Sequence, residues 1–159
     1  MAASRVVVAA VAAVVAALCG VAAAEDPPNV VFILVDDLGW NDLSMMGSED
    51  VVSPNMDALM QAGVRFENGY APISFGSASR ASIFTGIHPM HMGIQKQAAD
   101  DPEDTLQGLP LQYERLGDVM KRQGYASKVV GKWDMGYTEP HHPMNSGFDS
   151  FFGFLGNRF

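Results

Sequence analysis

The stretch NVVFILVDD, Asn29 to Asp37, holds the first decision about the fold. Asn29 to Val35 is a continuous β-branched and apolar run without polar alternation, the pattern of a strand covered on both faces inside a parallel sheet. Two carboxylates, Asp36 and Asp37, close the run, and strand ends in such sheets are where chemistry collects. On a continuing strand the two side chains point to opposite faces, so they converge only if the backbone is irregular there. Converged, their repulsion calls for a cation, and an oxygen-only cluster without Cys or His suits Ca2+ or Mg2+. An ordinary Asp-rich turn accounts for the same dipeptide.

Downstream, strands and helices alternate. In SPNMDALMQAG, Ser53 can cap, Pro54 suits the first helical position, Met56, Leu59 and Met60 form a core-facing stripe, and Gly63 suits the stop. VRFENGYA (Val64 to Ala71) alternates and reads as a second strand. SRASIFTG is a short helix ended by Gly86, and a third helix is expected from about Leu111 to Gln123, with Leu116, Val119 and Met120 inward and Gly124 past its end. YASKVVGKW is a third strand. Val30 to Val35, Val64 to Tyr70 and Ser127 to Trp133 are expected to lie side by side, largely parallel, in one sheet. Gln95 to Gly108 reads as a polar, acidic, solvated loop, and His141 and His142, between prolines, as a solvated turn.

Upstream, residues 1–24 carry one basic residue, Arg5, then an apolar run from Val6 to Leu18, then Ala22 and Ala24 at the spacing of a small-residue cleavage site. This reads as a secretory signal peptide, leaving 25–159 as one domain. The apolar run is short against the roughly 20 residues of a bilayer span, so no stable membrane span is expected after cleavage. The single cysteine, Cys19, falls within that segment, which excludes a disulfide framework, a thiol nucleophile and a zinc-thiolate site from the rest. The formal net charge of −8 argues against a nucleic-acid partner, which needs basic groups to neutralise phosphates.

Five motifs in order, NVVFILVDDLGWND, SPNMDALMQAGVRFENGYA, SRASIFTG, LGDVMKRQGYASKVVGKWDMG and NSGFDSFFGFLGN, resemble the amino-terminal part of the sulfatase family, in particular its arylsulfatase B-like and N-acetylgalactosamine-sulfatase-like members. The resemblance covers Asn29 to Asn157. It implies an α/β fold like that of alkaline phosphatase, here its truncated amino-terminal part with a mainly parallel sheet and flanking helices. It implies a Ca2+ ion and hydrolysis of sulfate esters of aryl groups or glycans, in an extracellular or lysosome-like compartment. Asp36 and Asp37 match the first pair of metal ligands. A second pair, Asp-Asn, belongs to a strand beyond Phe159.

Two segments depart from the family pattern. The nucleophile lies in a Cys-x-Pro-Ser-Arg segment whose Cys or Ser is oxidised to formylglycine, and counting back from Ser79 and Arg80 puts that position at Gly76, with Ala78 for the proline. Glycine has no side chain to oxidise. Arg80 matches the arginine that ties nucleophile and metal site together. In the Lys-Trp-His-Leu-Gly segment Lys132 matches the sulfate-binding lysine, and Asp134 stands where the sulfate-binding histidine is expected. Together these departures imply an impaired or inactive sulfatase. The other readings are a non-catalytic secreted protein that binds Ca2+ or sulfated glycans, and a gene fragment without a function of its own.

Overall fold

In the computed structural model, residues 26–94 and 108–156 are described, and the chain divides into units 1–35 and 36–159. The expected signal peptide and most of the acidic loop lie outside the described residues. In the first unit, residues 26–35 form neither helix nor strand and are exposed, with Val30 to Val35 between 41% and 84% accessible. The expected strand at 30–35 forms no ladder among the described residues. An apolar run supplies the side chains of a strand, but its backbone bonds must come from a neighbour.

The second unit is ordered around two parallel strands. Strand β1 (Lys128–Lys132) and strand β2 (Ser150–Phe154) pair in the register Lys128 to Ser150 through Lys132 to Phe154. The pairing runs on past β1: Trp133 N–H donates to Phe154 O at 3.0 Å and Asp134 N–H to Leu155 O at 2.9 Å. Parallel neighbours need a long crossover. Here it is built from two 3-10 turns, Glu139–His141 and Pro143–Ser146, rather than a helix. Strand β1 is the expected third strand. The expected second strand, 64–70, is instead an exposed loop with a turn at Glu67 and Asn68, because Asn-Gly chemistry bends the chain inside the alternating run.

Among the described residues, four helices accompany the strands. Helix α1 (Pro54–Ala62) begins and ends as its punctuation predicts, after Ser53 and before Gly63. The Ser53 hydroxyl and the Ser44 hydroxyl both donate to Asp57, at 3.0 and 2.5 Å, and so tie the helix to the 3-10 turn Ser44–Met46. Its stripe is not core: Met56 and Leu59 are 39% and 68% exposed, and no residue of α1 is buried. Helix α2 (Gly76–Thr85) stops at Gly86 in the left-handed conformation, φ 69°. Helix α3 (Pro89–Met92) follows. Helix α4 (Leu116–Arg122) starts later than expected, because Asp118 accepts from the backbone N–H and Nε of Arg115 and fixes the cap there. Gly117 lets α4 pack on the second 3-10 turn: a Cβ there would stand 2.2 Å from Ser146 O.

The core lies between α2 and the strands. Ala81, Met92, Leu109, Trp133, Met135 and Phe148 are buried together, with Phe84, Val129 and Phe151 packed on them. Trp133 meets Phe84 and Phe148 edge-on at 5.2 and 6.2 Å, and its Nε1–H donates to His141 O at 2.9 Å. Because Lys132 and Asp134 flank this residue in the chain, the core fixes both.

Candidate functional site

Helix α2 presents the site. Phe75, extended at φ −90°, caps its start and accepts from Ser79 N–H at 2.9 Å, so Gly76 is the first helical residue. Ser77, Ala78, Arg80 and Ala81 form the buried face. One turn after Gly76, Arg80 reaches across to the end of β1. Its Nη1 donates to Lys132 O at 3.2 Å and its Nη2 lies 3.4 Å from Asp36 Oδ2. Its Nε is buried without a partner among the described residues.

Lys132 ends β1 and meets two carboxylates. Its Nζ stands 2.7 Å from Asp36 Oδ2 and 3.7 Å from Asp134 Oδ2. Asp134 is 2% exposed and holds a left-handed backbone, φ 56°. The structure thus brings together Asp36, Arg80, Lys132 and Asp134, residues far apart in sequence, as two cations alternating with two anions. The hydrogen bond from Lys132 holds the Asp36 carboxyl below the ordinary carboxylate range, helped by the Lys132 and Arg80 charges and opposed by partial burial.

Asp37 is exposed and makes no ion pair or hydrogen bond among the described residues. Its backbone is left-handed, φ 58°, which breaks the strand alternation immediately after Asp36. That is the irregularity a converging pair requires. The donor chemistry fits a hard cation, but two carboxylates are part of a set of six to eight oxygens, and among the described residues no group of three His, Cys, Asp or Glu converges. The fit is therefore partial: among the described residues, Asp36 and Asp37 are the candidate ligands.

His141 is not in a solvated turn. It is 6% exposed, its Nδ1 lies 2.9 Å from Thr138 Oγ1, and a Cβ on Gly108 would approach its ring to 2.5 Å. Burial lowers its pKa, and the Arg115 charge lowers it further. The PHHP stretch shows polarity but not this burial, which depends on glycines at 108 and 136 that admit the ring.

The sequence model of the family described as Sulfatase matches residues 28–159. The chain belongs to the sulfatase family. Among similar relatives, N-acetylgalactosamine-6-sulfatase of Homo sapiens is 36% identical over 84% of this chain and 27% of its own length. Arylsulfatase A of Bos taurus is 37% identical over 82% of this chain and 26% of its own. The chain thus spans about a quarter of the length of the relatives it matches. A solved structure, that of Ps i-CgsB, superposes with a TM-score of 0.77 at 35% identity, covering 83% of this chain and 29% of that one. The putative sulfatase yidJ from Bacteroides fragilis superposes at 0.63 with 27% identity, covering 77% and 27%. These neighbours bear out the α/β sulfatase fold class, seen here as a parallel sheet with flanking helices.

Proposed function

We propose that this sulfatase-family chain holds the charged frame of a sulfate-ester site without the group that attacks sulfur, and that it binds a sulfated small molecule or glycan without turning it over. The observation that carries this reading is Gly76 at the first position of α2, one turn before Arg80, whose guanidinium lies 3.4 Å from Asp36. With no side chain at 76, no aldehyde and no hydrate can form there. Removing a nucleophile that works as a unit with its neighbours costs on the order of a millionfold in rate.

Arg80 and Lys132 remain as anion-holding groups. Asp134 works against them, because a carboxylate about 4 Å from a sulfate repels it by about 4 kcal/mol at an effective dielectric near 20. Its ion pair with Lys132 offsets part of that repulsion and occupies part of the lysine. Ca2+, held by Asp36 and Asp37, would supply positive charge beside the bound anion. A glycan ligand is supported by a structural neighbour, Ps i-CgsB, solved in complex with k-i-k-neocarrahexaose, with a TM-score of 0.70 and 35% identity. The leader-like residues 1–24 support a secretory route, and among the described residues no helix is long and apolar enough to cross a membrane.

The test is hydrolysis of a chromogenic aryl sulfate by the purified chain. The native chain is expected to show no turnover, and neither is Gly76→Cys made alone with the formylglycine-generating enzyme, because Asp134 still opposes the substrate. Reproducible turnover by the native chain that disappears in Arg80→Ala would overturn the proposal.

A further inference from the structure

Asp36 Oδ2 is one oxygen between two cationic donors, 2.7 Å from Lys132 Nζ and 3.4 Å from Arg80 Nη2. An ammonium and a guanidinium that meet on one oxygen suit a carboxylate or a sulfate alike, since both are oxyanions that accept charge-assisted hydrogen bonds. The four charged groups differ in how firmly they are held. The side chains of Arg80, Lys132 and Asp134 are 9%, 17% and 2% exposed, whereas that of Asp36 is 42% exposed. Arg80 is anchored by its hydrogen bond to Lys132 O, and its buried Nε has no partner among the described residues, so Asp36 does not use up its donors. Asp134, 3.7 Å from Lys132, keeps the ammonium in place, because a buried carboxylate needs a compensating charge nearby. Of the four, Asp36 can leave into water at low cost.

We propose that Asp36 is the site's own ligand: its carboxylate sits where an external oxyanion would, and a sulfate ester reaches Arg80 and Lys132 by displacing it. The inference rests on the anion-binding part of the proposed function. Carboxylate and sulfate ester each carry one negative charge, so the exchange keeps two cations facing two anions, and Asp134 meets no additional charge. The movement is confined to one side chain. Asp36 lies in a bend outside any helix or strand, so no ladder bond among the described residues opposes it. The aspartate at 36 therefore weakens the binding of an external anion, the opposite sign to that of a residue that helps to hold the ligand.

Calorimetric titration of the full chain with sodium methyl sulfate, in EDTA at constant ionic strength, tests this on the native protein, Asp36→Asn, Asp36→Ser and Asp37→Asn, with far-UV circular dichroism to confirm folding. Asp37→Asn removes a neighbouring charge outside the ion-pair cluster, and Asn tolerates the left-handed backbone there. Asp36→Asn and Asp36→Ser should each tighten methyl sulfate binding about tenfold, within the roughly 5–150-fold span of typical couplings. Asp37→Asn should change it by less than about twofold, because an exposed charge is screened. Unchanged or weaker binding by the folded Asp36 variants overturns the proposal while the anion-binding reading stands. An equal gain in Asp37→Asn overturns it too, since net charge alone would then set the affinity. Unfolding of both Asp36 variants would show that this carboxylate holds the fold and is not exchangeable, which also defeats the proposal. Failure of every protein to bind methyl sulfate removes the anion-binding reading and this inference with it.

Discussion

Exchanging Arg80 for Met removes the guanidinium and keeps most of the apolar stem, and three effects then compete. The bond from Nη1 to Lys132 O at 3.2 Å has a charged donor, and such bonds contribute about 1.5–3 kcal/mol. The ion pair to Asp36 at 3.4 Å has a carboxylate side chain that is 42% exposed, and solvent screening holds it to about 0–1 kcal/mol. Against both, Nε is buried without a partner among the described residues, and an unmade bond of that kind costs about 1–3 kcal/mol that a thioether does not incur. The balance is a net loss of about 1 kcal/mol, well below the roughly 3–5 kcal/mol for breaking one side of a fully buried pair. Urea unfolding at pH 7 followed by far-UV circular dichroism should show a lower midpoint with an unchanged slope. A loss of about 3 kcal/mol or more would mean that Asp36 is effectively shielded from water, and a gain in stability would mean that the unmade Nε bond dominates. Either result refutes the balance.

Two further outcomes follow from the core and its neighbour. His141 has its pKa lowered by burial and by Arg115, so the unfolded chain takes up the proton more readily than the folded one. Its stabilising contribution is then full above the ordinary imidazole pKa of about 6.5 and declines as pH falls below it. Melting temperatures at pH 7.5 and pH 5 should differ more for the native chain than for His141→Gln, and equal differences would dismiss the role given to burial. Trp133→Ala, at a site 1% exposed, should cost about 3–5 kcal/mol in urea unfolding; a cost below about 1.5 kcal/mol would show that the aromatic cluster is not the core.

What the sequence made legible was local. The start and stop of α1 at Pro54 and Gly63 and the stop of α2 at Gly86 depend on single-residue backbone preferences, so they survive any tertiary arrangement. Strand β1 was readable from its apolar run, while β2, in SFFGF, was seen only as part of a motif because five residues around a glycine carry little periodicity. The runs at 30–35 and 64–70 carry strand-like side chains, but pairing is a property of two segments and neither shows its partner in its own residues. The grouping of Asp36, Arg80 and Lys132 came from resemblance, since no periodicity links residues 44 and 52 positions apart. The ion pair of Asp134 with Lys132 needed coordinates: adjacent-but-one residues on a regular strand do share a face, but a left-handed residue at 134 re-aims its side chain, and φ cannot be read from an aspartate.

Asp134 keeps its left-handed backbone at φ 56°, and among side-chain-bearing residues Asn, Asp and His enter that region most readily. The position is therefore narrow in shape and wide in electrical character: it admits a negative, a neutral and a titrating side chain, while β-branched residues are barred by the chain path itself. Divergence at this point is cheap in architecture. A single exchange of Asp134 for Asn changes what faces Lys132 from carboxylate to amide while the left-handed turn that follows β1 is kept.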